Sequence, residues 1–196
     1  MRMGTAGLSA LLFLAYSAVA AAGPIVDAAT RAEALAADGK TAEALQALDE
    51  AVDAIWREGP LAFRKVAVVS SSSGEGVYEE RTDLTFKPDE TMMIYVEPVG
   101  FGYRSPGASS TIGFSADLTI ENATGQVLGE AKDLFSLSTL TAPNKREFGM
   151  TLSFAVPYLR PGEYKAIVTV HDQNSPKSGS FEIAFNIGLP EAAGTP

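Results

Sequence analysis

From residue 60 onward, apolar and polar residues alternate with a period of two, interrupted by Gly, Pro, Asn and Ser. A strand that buries one face and wets the other produces this pattern. Ile112, Phe114, Ala116, Leu118 and Ile120 share one parity, as do Phe148, Met150, Leu152, Phe154 and Val156, and again Phe181, Ile183, Phe185 and Ile187. The opposite parity carries Ser115, Asp117, Thr119, Thr151, Ser153, Ser180, Glu182 and Asn186. The pattern predicts seven strands, at 63–70, 92–99, 111–120, 126–131, 148–156, 163–171 and 180–187. One dry face per strand suits two stacked antiparallel layers better than a parallel sheet covered by helices. Asn122 to Gly125 supplies a tight turn and Asn174 to Gly179 a loop before the last strand.

The period changes upstream. Residues 27–58 are rich in Ala, Leu and Glu, break at Asp38-Gly39 and restart at Thr41, read as an N-cap with Glu43 beyond it. This predicts a helical hairpin over 25–59. Its apolar positions Leu45, Leu48, Val52, Ile55 and Trp56 are expected to form an internal core face, with recognition of a protein partner as the alternative. The spacing of Ala32, Leu35, Gly39, Ala44, Leu48 and Ala51 resembles one tetratricopeptide repeat. Such repeats bury their faces by stacking, so a lone unit must pack on the domain that follows or on another protein.

The first 22 residues read as an export signal: Arg2 supplies a positive start, LSALLFLAYSAVAAA a short apolar run, and Ala18-Val19-Ala20 a small-residue cleavage pattern. A helix of that run reaches about 22 Å, short of the roughly 30 Å hydrocarbon core, so no membrane span is expected once the leader is removed. The expected location is periplasmic or secreted. Residues 191–196 read as a disordered tail.

The 15 basic and 24 acidic residues give a net charge of -9, without a basic cluster to reverse it, which argues against nucleic acid as a partner. The absence of cysteine removes disulfides, thiolate nucleophiles and Cys-ligated metal sites together.

Leu159-Arg160-Pro161-Gly162-Glu163-Tyr164, ahead of a Val-alternating strand, resembles the tyrosine corner of immunoglobulin-like and fibronectin type III-like sandwiches. There a Tyr near the start of the sixth strand bonds backbone upstream. Neither the cysteine pair nor the core tryptophan of antibody domains is present, so the resemblance is to the broad bacterial Ig-like group. The expected fold is mainly β with a small α part: a seven-stranded antiparallel Ig-like β-sandwich over 60–190, preceded by the helical hairpin.

Imidazole chemistry rests on His171, the one histidine. It takes the outward parity of its strand, with Glu163, Lys165, Ile167 and Thr169, while Tyr164, Ala166, Val168 and Val170 point in. A solvated strand-end role is expected. There is no G-x-S-x-G around a nucleophile, and neighbouring Asp172 faces away. One histidine cannot build an HExxH or three-His zinc site, and no D-x-D-x-D-G calcium loop occurs. Neither a metal nor another cofactor is expected. Gly100-Phe101-Gly102 lacks the third glycine and the helix of a phosphate loop. Asn122-Ala123-Thr124 is a glycosylation sequon only in a glycosylating host.

The most distinctive stretch is YVEPVGFGYRSPG, residues 95–107, with Tyr95, Glu97, Phe101, Tyr103 and Arg104 as candidate binding residues. Aromatic loops at a sandwich end grip sugars, peptides or subunits; alternatively, Phe101 and Tyr103 plug the end of the core. The function expected from these features is that of an exported, non-catalytic protein-interaction module of the cell envelope, recognising a protein partner through the sandwich-end loops and, secondarily, the hairpin. The alternatives are a small-ligand or glycan-binding domain using 95–107, and a hydrolase whose Glu97 and Asp117 face each other across a cleft.

Overall fold

The computed structural model describes residues 23–104, 109–143 and 145–188; the predicted leader and tail lie outside them. The chain divides into two compact units between Ala51 and Val52, a point inside the second helix.

Helix α1 (Pro24–Ala37) begins with Pro at its first position, where the missing N–H costs nothing. It ends in a Schellman motif: Lys40 N–H donates to the Leu35 carbonyl at 2.9 Å and Gly39 N–H to Ala36 at 3.0 Å, with Gly39 at φ +74. That left-handed turn is what the Asp38-Gly39 break encodes. Helix α2 (Thr41–Glu58) follows. Its first turn closes on the Lys40 carbonyl, 3.0 Å from Ala44 N–H, so Thr41 stands inside the helix and not at its cap.

Burial along α2 departs from expectation. The buried positions are Ala44, Ala47, Ala51 and Ala54, spaced three, four and three apart. Leu45, Leu48, Val52 and Ile55, one position on in each case, are 58%, 46%, 39% and 54% exposed. Of the expected internal face, Trp56 alone is partly buried.

The remaining elements are β1 (Ala62–Gly74), β2 (Val77–Glu80), β3 (Thr85–Phe86), β4 (Thr91–Val99), β5 (Ser110–Asn122), β6 (Val127–Thr141), β7 (Met150–Ala155), β8 (Gly162–Asp172) and β9 (Ser178–Ile187). They form a four-stranded sheet in the order β2-β1-β4-β7 and a five-stranded sheet in the order β3-β9-β8-β5-β6. Every pairing is antiparallel except β3 with β9. The chain is thus mainly β, with two helices and two sheets, and the strands number nine among the described residues instead of seven.

The two extra strands are short. β2 returns along the serine-rich end of β1, where Tyr78 packs on the outer-face cluster of Ala67, Val69 and Tyr95, and β3 contributes a single buried side chain, Phe86. β6 runs ten residues past the predicted 126–131. Between Ala116↔Phe135 and Leu118↔Ala131 its register slips, and Asp133 there adopts φ 49. The inward parity survives the bulge, but exposed Leu134 and Leu140 on the opposite parity blur the alternation that would have revealed the rest of the strand.

Both sheets feed one apolar core. Met92, Ile94 and Val96 of β4 and Met150, Leu152 and Phe154 of β7 share it with the predicted parity of β5, β8 and β9. Burying a side chain of this size contributes about 1.5–3 kcal/mol, so some twenty of them anchor a fold that has no disulfide.

Candidate functional site

The five predicted binding residues do not converge on one surface. Tyr95 lies on the outer face of β4 but is fully buried, stacked on Tyr78 at 4.2 Å between ring centroids and packed with Ala67, Val69 and Met93. Its hydroxyl accepts the Gly76 N–H at 2.8 Å and donates to Glu97 Oε1 at 3.1 Å. Burial raises its pKa, and the Glu97 carboxylate adds to the rise. Gly149 sits directly over this ring: a Cβ there would fall 2.2 Å from the Tyr95 hydroxyl, so the position has no room for any side chain.

Phe101 is a core plug. Only 1% exposed, it meets Trp56 edge-on at 5.0 Å and Phe114 at 5.5 Å, and its carbonyl accepts Trp56 Nε1–H at 2.7 Å. Tyr103 is half-buried, and its hydroxyl donates to the Lys145 carbonyl at 2.6 Å. Burial pushes this hydroxyl up to about 12, with the Arg146 charge opposing and Asp53 and Glu147 assisting. Arg104 is exposed and exchanges backbone bonds with Thr111, at 3.0 and 2.7 Å. Residues 105–107 of the segment lie outside the described residues.

Asp172 organises this end of the β unit. It continues the inward parity of β8, and at 5% exposure it is one of two buried polar residues in the described core. Its carboxylate accepts the N–H groups of Gly102 at 2.6 Å and Asn174 at 2.9 Å and the Ser175 hydroxyl. Lys177 completes the network, donating to the carbonyls of Trp56 and Gly100, each at 2.7 Å. A buried carboxylate demands such donors. The sequence carried the signal, a charged residue on the buried parity at a strand end. Beside this network a recess of about 590 Å3 is lined by Asp53, Trp56, Arg57, Tyr103, Ser175 and Lys177.

His171 sits where its parity placed it, on the outer face of the five-stranded sheet with its side chain 42% exposed. It is hydrogen-bonded, not merely solvated: Nε2 lies 3.0 Å from Asp117 Oδ2. Asp117 also accepts the Asp133 N–H and the Lys132 ammonium, each at 3.0 Å. These hold its carboxyl at about 2, the Asp133 N–H contributing most and Lys132 next. The cluster therefore pins the β6 bulge. Glu97 and Asp117 project from the outer faces of different sheets and do not face each other across a cleft. No group of three or more metal-ligating side chains occurs among the described residues.

In the helical unit, Ile25, Val26, Ala29, Leu45 and Leu48 line an open groove of about 660 Å3 between α1 and α2. Arg31 pairs with Glu50 across the two helices, and Lys40 with Asp38 at 3.3 Å. No described helix is long and apolar enough to cross a membrane.

No protein-family model matches the sequence, and no curated protein matches it. Among solved structures, the chain is similar to the sporulation control protein Spo0M from Bacillus subtilis, at 10% identity and TM-score 0.33 over 67% of this chain and 50% of that one. It is also similar to the Pseudomonas fluorescens alkylpurine DNA glycosylase AlkC bound to abasic-site DNA, at 13% identity and TM-score 0.33, covering 76% of this chain and 38% of that one. A Bacteroides uniformis beta-glucuronidase matches at 13% identity and TM-score 0.28, with 64% of this chain on 13% of that one. The chain spans half or less of each of these proteins, and likeness at this level assigns no activity.

Proposed function

We propose that this chain is an exported, non-catalytic protein-interaction module of the cell envelope, and that its main recognition surface is the helical hairpin. The observation that carries this reading is the bare apolar face of Ile25, Val26, Leu45 and Leu48, which a water-soluble unit keeps only where something covers it in use. Export rests on the leader-like first 22 residues. Within the two-sheet architecture, the Ig-like assignment is supported by the Tyr164 hydroxyl, which donates to the Arg160 carbonyl at 2.7 Å in the manner of a tyrosine corner. Non-catalytic action is supported by the separation of Glu97 from Asp117 and by the role of His171 as a clamp on a bulge.

The test is crosslinked capture from the envelope fraction with the wild-type protein and with Leu45→Gln/Leu48→Gln. A specific partner retained by the wild type and lost with the variant is the expected result. Capture that ignores the two leucines would refute the hairpin as the surface.

A second reading, small-ligand or glycan binding, draws support from the 590 Å3 recess with Trp56 and Tyr103 on its wall. It predicts that a glycan-array signal exists and disappears with Tyr103→Ala.

A further inference from the structure

Helix α2 bears two parallel seams, each with the three-four-three spacing of a coiled-coil a/d stripe. The alanine seam is buried, whereas the seam begun by Leu45 and Leu48 is exposed and, together with Ile25 and Val26 of α1, walls the groove. A hairpin with small residues inside and branched residues outside is built to receive a further helix, because a groove between two helices accepts the ridge of a third.

The charge around that groove selects the occupant. From Pro24 to Ala51 the chain carries six acidic and two basic residues. Both basic side chains are already engaged, Arg31 with Glu50 and Lys40 with Asp38. Glu33 lies on the groove wall. A second copy of this hairpin would set one net negative surface against another, and an anionic lipid surface would meet the same repulsion.

Building on the reading of the hairpin as a recognition surface, we infer that the α1/α2 groove docks an amphipathic helix of another protein whose apolar seam is flanked by lysine or arginine. The leucine and isoleucine side chains supply contact area, and Glu33 with the hairpin's net negative charge supplies steering and rejects acid-flanked helices.

The test uses labelled helical peptides of about 20 residues with leucine at the a and d positions and either lysine or glutamate at the flanks, titrated by fluorescence anisotropy against the purified protein. The lysine-flanked peptide should bind at least about tenfold more tightly than its glutamate twin, and about 1 M salt should erase most of that difference. Leu45→Gln/Leu48→Gln should abolish binding while circular dichroism melting stays at the wild-type temperature. Failure of both peptides to bind, equal binding of both, or binding that survives the double substitution overturns the inference. So does sedimentation showing a wild-type dimer that the substitutions dissociate, or cosedimentation with phosphatidylglycerol vesicles. Should envelope capture still depend on Leu45 and Leu48 while neither peptide binds, the basic-helix inference fails and the hairpin reading survives.

Discussion

The helical hairpin and the β unit use periodicity to opposite ends. In β5, β8 and β9, the apolar side chains sharing a parity are the buried ones, and the residues between them are partly or fully exposed. In α2 the alanines are buried and the leucines are exposed. A repeat in the sequence reports which side chains share a face, not what covers that face. In the β unit the cover is a second sheet encoded by the same chain; in the hairpin Leu45 and Leu48 line an open groove.

Five measurements break or sharpen this contrast. Phe101→Ala should cost about 4 kcal/mol in a denaturant titration, as expected for emptying an aromatic site in a packed core. A small loss would return Phe101 to the surface and revive the aromatic segment as a grip. Asp172→Ala should cost about 3 kcal/mol, since it strands the part-buried N–H groups of Gly102 and Asn174 and leaves a gap where a buried side chain stood. A neutral outcome would mean that water satisfies them and that the network is ornamental.

Asp117→Asn should cost about 1–2 kcal/mol at neutral pH, discounted for partial exposure. The folded carboxyl titrates at about 2, below its ordinary 3.8, so its contribution is present in full above that ordinary value and vanishes as the pH falls from 4 to 2. Wild-type and variant stability curves should therefore converge at the acid end; a constant gap would assign the loss to packing. Tyr164→Phe should cost about 1 kcal/mol, the net worth of its bond to Arg160. No change would remove the corner. Leu45→Gln/Leu48→Gln should shift stability by less than about 0.5 kcal/mol, because both positions are solvated and glutamine is a good helix former. A loss of several kcal/mol would place the leucines in a core and erase the contrast.

Legibility in the sequence followed the strength of local signals. The parity of Ile112 through Ile120, the break at Gly39 and the upstream bond of Tyr164 were readable because each is fixed by neighbours within one turn or strand. β3 was not, since its two residues are held by Asn186 and Ile187, a hundred positions away. The far half of β6 was hidden because exposed Leu134 and Leu140 set apolar residues on the parity opposite Phe135 and Leu137, so neither face reads as the wet one. The candidate site divided likewise. Tyr95 and Phe101 advertise aromatic surface in sequence, but whether such an aromatic is exposed or covered depends on partners such as Tyr78 and Trp56 that no spacing rule connects to them. The exposed seam of α2 was legible as a stripe and illegible as an exposed one.

The contact between Gly149 and the phenol of Tyr95 bears on how this chain can vary. Sites 95 and 149 are locked together like two teeth of a zip: the latter can gain even a methyl group only after the former has surrendered its bulk. Libraries randomised at both codons should yield survivors in matched combinations, with single changes at 149 missing from the pool.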